Sequence, residues 1–419
     1  MFFAGYSQTG SKNAAEHCNN GCEKDFMKKF KGEIVASAKT IESNQNDFEL
    51  NLTDSGRKIE NCISLFTSES NYKAIKATTG GKVNVKALAL IINDDSIDAE
   101  EINTRGQTTL LYRRKSLNFD LKSKAVFRHG ERTESLKKFF ALSLSMDRNY
   151  CNNRIAFEMM EISKLFSLFY SFCALQINGQ NEGIYLVVER PEDWAMKKKD
   201  SPLLIRRGYN HNIDKIMTDK IIEKGEIKKL CSNYEQIYKY LDKYKGEVLY
   251  KNLSNCLDID LYMKWLAFNF FVRNGDYTDE VFFYFDPVIN KFSIIPWDYD
   301  DLFSLTPHEG NAETRILPGD KLIFSAEDLL DEKIAEDPYL YQIYLIQLRE
   351  LLNLLSPAVL KRVLENTYAE LCPFYSNNKI INMSAYDAYK NTNFDRLQND
   401  MHSIFSQLKI TRDIYLNNL

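Results

Sequence analysis

Residues 268–303 read FNFFVRNGDYTDEVFFYFDPVINKFSIIPWDYDDLF. Just upstream and into this stretch, Leu261, Trp265, Phe268 and Val272 recur every three or four residues, so 257–273 is predicted to be a helix. The helix ends in the turn residues Asn274-Gly275-Asp276. Two apolar runs follow, VFFYFD and KFSIIPWD, which pair naturally as a hairpin. Asp276 and Asp298 therefore fall on loops at one end of a tight helix-plus-hairpin unit. Two carboxylates brought together repel unless a cation or a proton lies between them. Metal-assisted phosphoryl transfer uses such a pair: one Asp orients the nucleophile and the second holds a divalent ion on the phosphates. Glycoside hydrolysis also uses paired carboxylates. Here Asp300 and Asp301 stand beside Asp298, and such a cluster suits a divalent ion better than a general acid with a raised pKa.

Working outward from this unit, the N-terminal side is rich in strands. KALALII (86–92) is a strand closed by Asn-Asp-Asp. EINTRGQTT and RKSLNFDL form a hairpin, with Leu117, Phe119 and Leu121 alternating at period two. FFALSLSM (139–146) is a further strand. From Asn152 the period changes: Ile155, Met159, Ile162 and Phe166 recur at helical spacing, with Asn152 or Asn153 as the cap. ALQI and IYLVVE flank NGQNEG, a strong hairpin signal, and Pro191 stops the second strand. SPLLIRRGY (201–209) is a short strand. Residues 213–255 have helical spacing, 325–372 read as two or three helices, and 384–419 as one or two more. The expected class is α+β in two lobes, the first rich in β and the second mostly helical.

Composition narrows the function classes. The 419 residues are 44% hydrophobic, with only 17 Gly and 9 Pro, so neither global disorder nor a fibrous repeat fits. A net charge of −4 argues against a nucleic-acid partner held by bulk charge. No apolar run is long enough for a transmembrane segment. The N-terminus MFFAGYSQTG shows no intact signal peptide. Cys18 and Cys22, with His17 beside them, are the one close cysteine pair; without a second pair they do not make a zinc site. Residues 1–30 are polar, Asn-rich and expected to be loosely ordered, and GEIVASA (32–38) reads as a strand.

The motifs together resemble the CotH family of atypical, secretory-type protein kinases, also known for spore-coat members. The resemblance rests on NGD followed by VFFYFD and IPWDYD. It extends back through INTRGQTT and RRKSLNFDL (102–121), FFALSLSMDRNYCNNRIAFEM (139–159), INGQNEGIYLVVE (177–189) and LLIRRGY (203–209). It covers roughly residues 86–375. It implies a kinase-like lobe at 85–190 and a second at 191–384, with an appendage at 1–84 and a helical extension at 385–419.

The resemblance also implies roles. Asp276 would orient the substrate hydroxyl. Asp298 would bind Mg²⁺ or Mn²⁺, with Asp300 beside it. The family commonly has an Asn shortly after the catalytic Asp; here the stretch is Thr278-Asp279-Glu280-Val281, so Glu280 or Asp279 would ligate instead. Arg105, Arg114 and Lys115 are the expected phosphate clamp, with Lys115 paired to Glu158, or less favourably Glu161, on the helix that follows. Val188, Glu189 and Arg190 would form the hinge for adenine. Arg206 stands where the family often has Lys, and Trp297 is a further candidate contact to the nucleotide. The implied reaction is ATP-dependent transfer of the γ-phosphate to Ser or Thr hydroxyls of a protein substrate, by a bacterial, exported or surface-associated enzyme. The rival readings are a kinase-like binding module without activity, and nucleotidyl transfer on the same scaffold.

Overall fold

The computed structural model describes residues 49–54, 56–208, 211–218, 222–304, 321–324 and 326–419. The expected loose start, the GEIVASA strand, His17, Cys18 and Cys22 lie outside the described residues. The six cysteines within them are all free thiols.

The class is α+β. The first part of the chain gives β1 (Cys62–Thr67), α1 (Glu69–Ala77), β2 (Ala87–Ile92), β3 (Asp95–Ser96), β4 (Ala99–Arg105), β5 (Ser116–His129), β6 (Arg132–Leu142), α2 (Asn152–Ile162), β7 (Tyr170–Ile177) and β8 (Gln180–Glu189). The eight strands form one sheet in the order β3-β2-β1-β7-β8-β6-β5-β4. Only the contact between β1 and β7 is parallel. β1 falls within the segment expected to be an appendage, yet it is an inner strand of this sheet. The sheet also curls. Val85 N–H donates to the Ile102 carbonyl at 2.8 Å and Thr104 N–H to Val83 at 3.0 Å, so the segment entering β2 covers the far edge of β4. Covering an edge in this way removes a site for unwanted strand pairing.

β7 and β8 are buried on both faces, which is why they read as near-continuous apolar runs. Cys173, Leu175, Tyr185 and Val187 pack with Phe119 and Phe139 inside the curl. Phe172, Ile184, Leu186 and Val188 face the larger core shared with the helices. Asn178 and Gly179 make the two-residue turn between them.

The second part continues with α3 (Pro191–Lys198), β9 (Leu203–Arg207), β10 (Ile213–Thr218), α4 (Lys224–Lys243), α5 (Gly246–Ser254), α6 (Ile259–Val272), β11 (Val281–Asp286) and β12 (Lys291–Pro296). It closes with α7 (Leu329–Glu336), α8 (Pro338–Leu354), α9 (Pro357–Tyr375), α10 (Asn378–Ile381) and α11 (Phe394–Asn418). β10, β9, β11 and β12 make a four-stranded sheet in that order. α6 is buried on nearly every side, and its start is fixed to β12 by Asp258 N–H donating to the Phe292 carbonyl at 2.8 Å. Among the described residues no single helix is long and apolar enough to cross a membrane.

Three elements depart from expectation. α1 buries Ile75 alone, so its apolar stripe is too thin to read. α3 begins at Pro191, which ends β8 but also opens a helix, since proline suits the first helical turn. β10 lies in a stretch read as helical; its residues pair with β9 from Leu203 to Arg207.

Candidate active site

α6 ends where Arg273 turns left-handed (φ 53°) and its N–H bonds back to the carbonyls of Asn269 and Phe270. That reversal starts the Asn274-Gly275-Asp276 turn, in which Asp276 N–H donates to Asn274 Oδ1 at 3.3 Å. Gly275 N–H then donates to the Asp301 carbonyl at 2.9 Å and ties this turn to the acidic segment after β12. Within that segment Asp298 is itself left-handed (φ 47°), a conformation Asp tolerates better than most residues. The start of α2 holds the segment from the other side. Tyr299 N–H donates to Asn153 Oδ1 at 3.1 Å, and Asn152 Nδ2 donates to the Asp300 carbonyl at 2.9 Å.

These loops form one wall of a cavity of about 280 Å³. The wall is acidic: Asp276, Asp279, Glu280, Asp298 and Asp300. Arg105 and the Gly106–Thr109 loop, at the end of β4, line the cavity as well. Leu142, Leu144, Phe157 and Trp297 add an apolar surface. Arg105 lies over the Phe140 ring at 3.9 Å from its centre, with Trp297 at 5.9 Å. Arg206 donates to Glu280 at 2.8 Å.

The electrostatics follow from five carboxylates facing two guanidiniums. Burial raises Asp298 above the ordinary carboxylate range, and Asp276 and Asp279 add to the rise while Arg105 and Arg206 oppose it. Burial and then Asp298 raise Glu280 well above its usual value. Burial, followed by Asp298 and Asp147, does the same to Asp300. Burial also lowers Arg105, against the pull of Asp298. An added divalent cation would relieve the repulsion on the acidic wall. Among the described residues no three His, Cys, Asp or Glu side chains stand at coordinating spacing. Mg²⁺ does not require that, because it takes one or two carboxylates and completes its shell with phosphate oxygens and water. The residues present therefore fit a divalent ion held jointly with a phosphate.

A profile of the CotH kinase protein family matches residues 102–405. The chain belongs to this family. It is 24% identical over 224 residues to the inner spore coat protein H of Bacillus subtilis (strain 168), a match that spans 50% of this chain and 60% of that protein. A chain in the solved complex of the Shewanella oneidensis MR-1 toxin–antitoxin system HipA, HipB and its operator DNA is 12% identical. That overlay covers 72% of this chain and 64% of the other at a TM-score of 0.30, too loose to add to the fold description.

In this member of the CotH kinase family, Asp276, Asp298, Asp300, Glu280, Arg105, Arg206 and Trp297 share the one cavity. Four other expected residues stand elsewhere. Lys115 turns away: its Nζ donates to the carbonyl of Leu110 at 2.6 Å and to that of Tyr112. Its expected partner Glu158 bonds instead to Arg154 and to Asn366 Nδ2 at 3.2 Å. Asn153 and Phe157 are the α2 residues that face the cavity, so Glu158, one position on, is rotated about a quarter turn away. Glu161 is paired to Arg132. Arg114 is fully buried, donating to the carbonyls of Glu182 and Ile184 and to Asp387. Gly183 makes room for it: a Cβ there would lie 3.0 Å from Arg114 Nε, and the backbone is at φ 97°.

The expected hinge is also corrected. Val188 pairs with Phe140 on one side and Tyr170 on the other, so its backbone groups belong to the sheet. Glu189 N–H donates to the Phe169 carbonyl at 2.9 Å and its carboxylate receives Lys198 at 2.9 Å. Neither residue lines the cavity. Nor does Asn152 or Asn153 supply the α2 cap; Asp147 accepts both their N–H groups, at 2.9 and 3.0 Å. The Gly106–Thr109 loop is the feature sequence reasoning passed over. Its signal was the run Thr-Arg-Gly-Gln-Thr-Thr at a strand end, where a Cβ on Gly106 would lie 1.9 Å from Thr109 Oγ1.

Proposed function

We propose that this chain is a two-lobed, ATP-dependent phosphotransferase that passes the γ-phosphate to Ser or Thr hydroxyls of a protein substrate. The single observation that carries this reading is the cavity whose lining brings together Asp276, Asp298, Arg105 and the Gly106–Thr109 loop. The lobes are residues 62–190 and 191–384, the first starting earlier than the expected 85 because β1 is an inner strand of its sheet, with 385–419 as an extension. Asp276 orients the acceptor hydroxyl and receives its proton. The new bond joins the acceptor oxygen to the γ-phosphorus, the bond to the β-phosphate oxygen breaks, and ADP leaves. Arg105 and the backbone N–H groups of the 106–109 loop neutralise charge on the phosphates; most of the rate comes from such positioning. Asp298, with Asp300 or Glu280, would hold Mg²⁺ or Mn²⁺, which supplies charge neutralisation across the phosphates.

The test is ³²P transfer from γ-labelled ATP, with Mg²⁺ and then Mn²⁺, to a generic protein acceptor and to the chain itself. Label that vanishes in Asp276→Ala and Asp298→Ala, with the fold intact, is the expected result. Label retained in both variants sinks the assignment.

A second reading is a kinase-like binding module without activity. It is favoured by the Arg206–Glu280 pair, where the family commonly has Asn, and by a Lys115 that faces away from the cavity. No label and no thermal shift with ATP and Mn²⁺ would point to it, whereas a nucleotide adduct found by mass would point to nucleotidyl transfer. The relative's name places that protein in an inner spore coat, and surface association of this chain is proposed on that ground alone.

A further inference from the structure

The loop joining β6 to α2, residues 143–151, carries Leu144, Ser145 and Met146 into the cavity wall. Its backbone is strained at three non-glycine residues: Leu144 at φ 54°, Asn149 at 58° and Tyr150 at 64°. Left-handed backbone costs on the order of 1–2 kcal/mol at such residues, and it persists only where the surroundings enforce it. Two backbone bonds lie within the loop, Asp147 N–H to the Leu144 carbonyl at 3.1 Å and Tyr150 N–H to the Asp147 carbonyl at 3.2 Å, beside side-chain contacts of Ser143 with Ser145 at 2.9 Å and of Cys151 Sγ with the Arg148 carbonyl at 3.3 Å.

Around Leu144 the loop is tied to the β5 end, where Ser143 N–H donates to Ser116 Oγ at 3.0 Å and Ser145 Oγ to the Arg114 carbonyl at 3.2 Å. Around Asn149 and Tyr150 the enforcement comes from the C-terminal part of the chain. Tyr375 O–H donates to the Asn149 carbonyl at 3.1 Å. Tyr150 O–H donates to Asp387 at 2.8 Å, and Ala388 N–H to the Ser145 carbonyl at 2.8 Å. Asp400, on α11, receives Arg148 Nε at 2.7 Å and Nη2 at 2.8 Å, and Asn149 Nδ2 as well. Such two-pronged charged bonds are strong and directional.

The same loop leads on to the acidic wall. Asp147 fixes the N–H groups of Asn152 and Asn153, whose side chains in turn fix Tyr299 N–H and the Asp300 carbonyl. We propose that Asp400 is a positioning residue for the Asp298–Asp300 segment, acting through Arg148, Asn149 and the start of α2. The C-terminal helix is then a strut: the acidic wall takes its working shape only while α11 is docked. The consequence for rate rests on the phosphotransferase reading; the mechanical coupling does not. The contact is at the rim, with the Arg148 side chain 49% exposed and Asp400 18%, so it can be broken without opening the core. Leu397, Met401 and Leu408 remain to dock α11.

The test is hydrogen exchange of the full chain against Asp400→Ala and Asp400→Asn. In Asp400→Ala, protection is expected to fall roughly tenfold in residues 143–153 and also in 298–301, with the circular dichroism unchanged; Asp400→Asn should be intermediate. Arg148→Ala, at an exposed side chain, serves if Asp400→Ala fails to fold. Loosening confined to 143–151, with 298–301 as protected as before, overturns the proposal. In the phosphate-transfer assay, kcat should drop roughly 10–100-fold with the acceptor KM unchanged, as expected of misplaced groups. An inactive wild type would count against the kinase reading alone, and the exchange comparison would still decide the strut.

Discussion

Arg206 reaches Glu280 across 2.8 Å in the acidic half of the cavity, while the next residue, Arg207, points to the opposite side of its strand. Strand alternation separates the two. Arg207 is fully buried and donates to the Thr278 carbonyl at 2.8 Å, fixing the turn that delivers Glu280; Asp328 lies 3.4 Å from it. One strand end thus supplies a charge to the cavity and an anchor beneath it.

The Arg206–Glu280 pair predicts an asymmetric mutant cycle. Arg206→Ala leaves Glu280 facing Asp298 without its counter-ion, and should lower stability by about 1–3 kcal/mol. Glu280→Ala removes a repelled carboxylate and should leave stability unchanged or higher, while weakening Mn²⁺ binding roughly tenfold if Glu280 ligates. Chemical denaturation and Mn²⁺ titration of both singles and the double measure this. Equal losses from the two single variants would contradict it.

Asp298 combines a left-handed backbone with a carboxyl raised by burial and by its acidic neighbours. Asn keeps the backbone tolerance and the shape but removes the charge. Asp298→Asn should therefore fold, raise Tm by a few degrees in the absence of metal, and lose phosphate transfer. A gain in stability coupled to loss of function marks a residue kept for chemistry. Thermal denaturation with EDTA checks the first half; a fall in Tm would mean Asp298 stabilises the fold.

The helix-plus-hairpin unit was legible because α6 and β11–β12 are long apolar runs bounded by NGD and PWD. Both carboxylates sit at those boundaries, so local reading placed them together. Arg105 and Lys115 were not separable in this way. Both are basic residues near hairpin ends. Which one enters the cavity depends on the Leu110 and Tyr112 carbonyls, which capture Lys115. The cap of α2 failed for a similar reason: Asp147 reaches it from five residues before Asn152 through a left-handed loop, outside the usual cap position.

Stability should fall as pH rises through neutrality in the metal-free protein. Burial pushes Asp147 from 3.8 up to about 7, and it does the same to Asp331 despite Arg207. A carboxyl raised in the folded state holds its proton more tightly there than in the unfolded chain, so its contribution is complete below about 4 and lost as pH climbs through about 7. Glu370 runs the other way: Arg154 holds it down at about 2 against burial, and its contribution is lost as pH falls from 4.5 towards 2. Tm with EDTA should be highest near pH 5 and roughly 5 °C lower at pH 7.5. Mn²⁺ should narrow that gap by stabilising the ionised wall. A Tm that rises steadily from pH 5 to 7.5 would refute this.

Arg105 and Lys115 make opposite predictions. Lys115 is 3% exposed, and its ammonium satisfies the carbonyls of Leu110 and Tyr112. Lys115→Met should cost about 1–2 kcal/mol, because those carbonyls lose a charged donor. It removes no group from the cavity, so the ATP-induced thermal shift should survive. Arg105 lines the cavity beside the Gly106–Thr109 loop and faces Asp298. Arg105→Met keeps the contact with the Phe140 ring but removes the charge. It should abolish the ATP-induced shift and lower phosphate transfer at least roughly 100-fold, the scale of losing one electrostatic donor at a transferring group. Both variants should be compared by thermal shift with and without ATP and Mn²⁺. A lost shift in Lys115→Met and a retained one in Arg105→Met would return the phosphate clamp to Lys115 and require the 110–112 segment to rearrange when nucleotide binds.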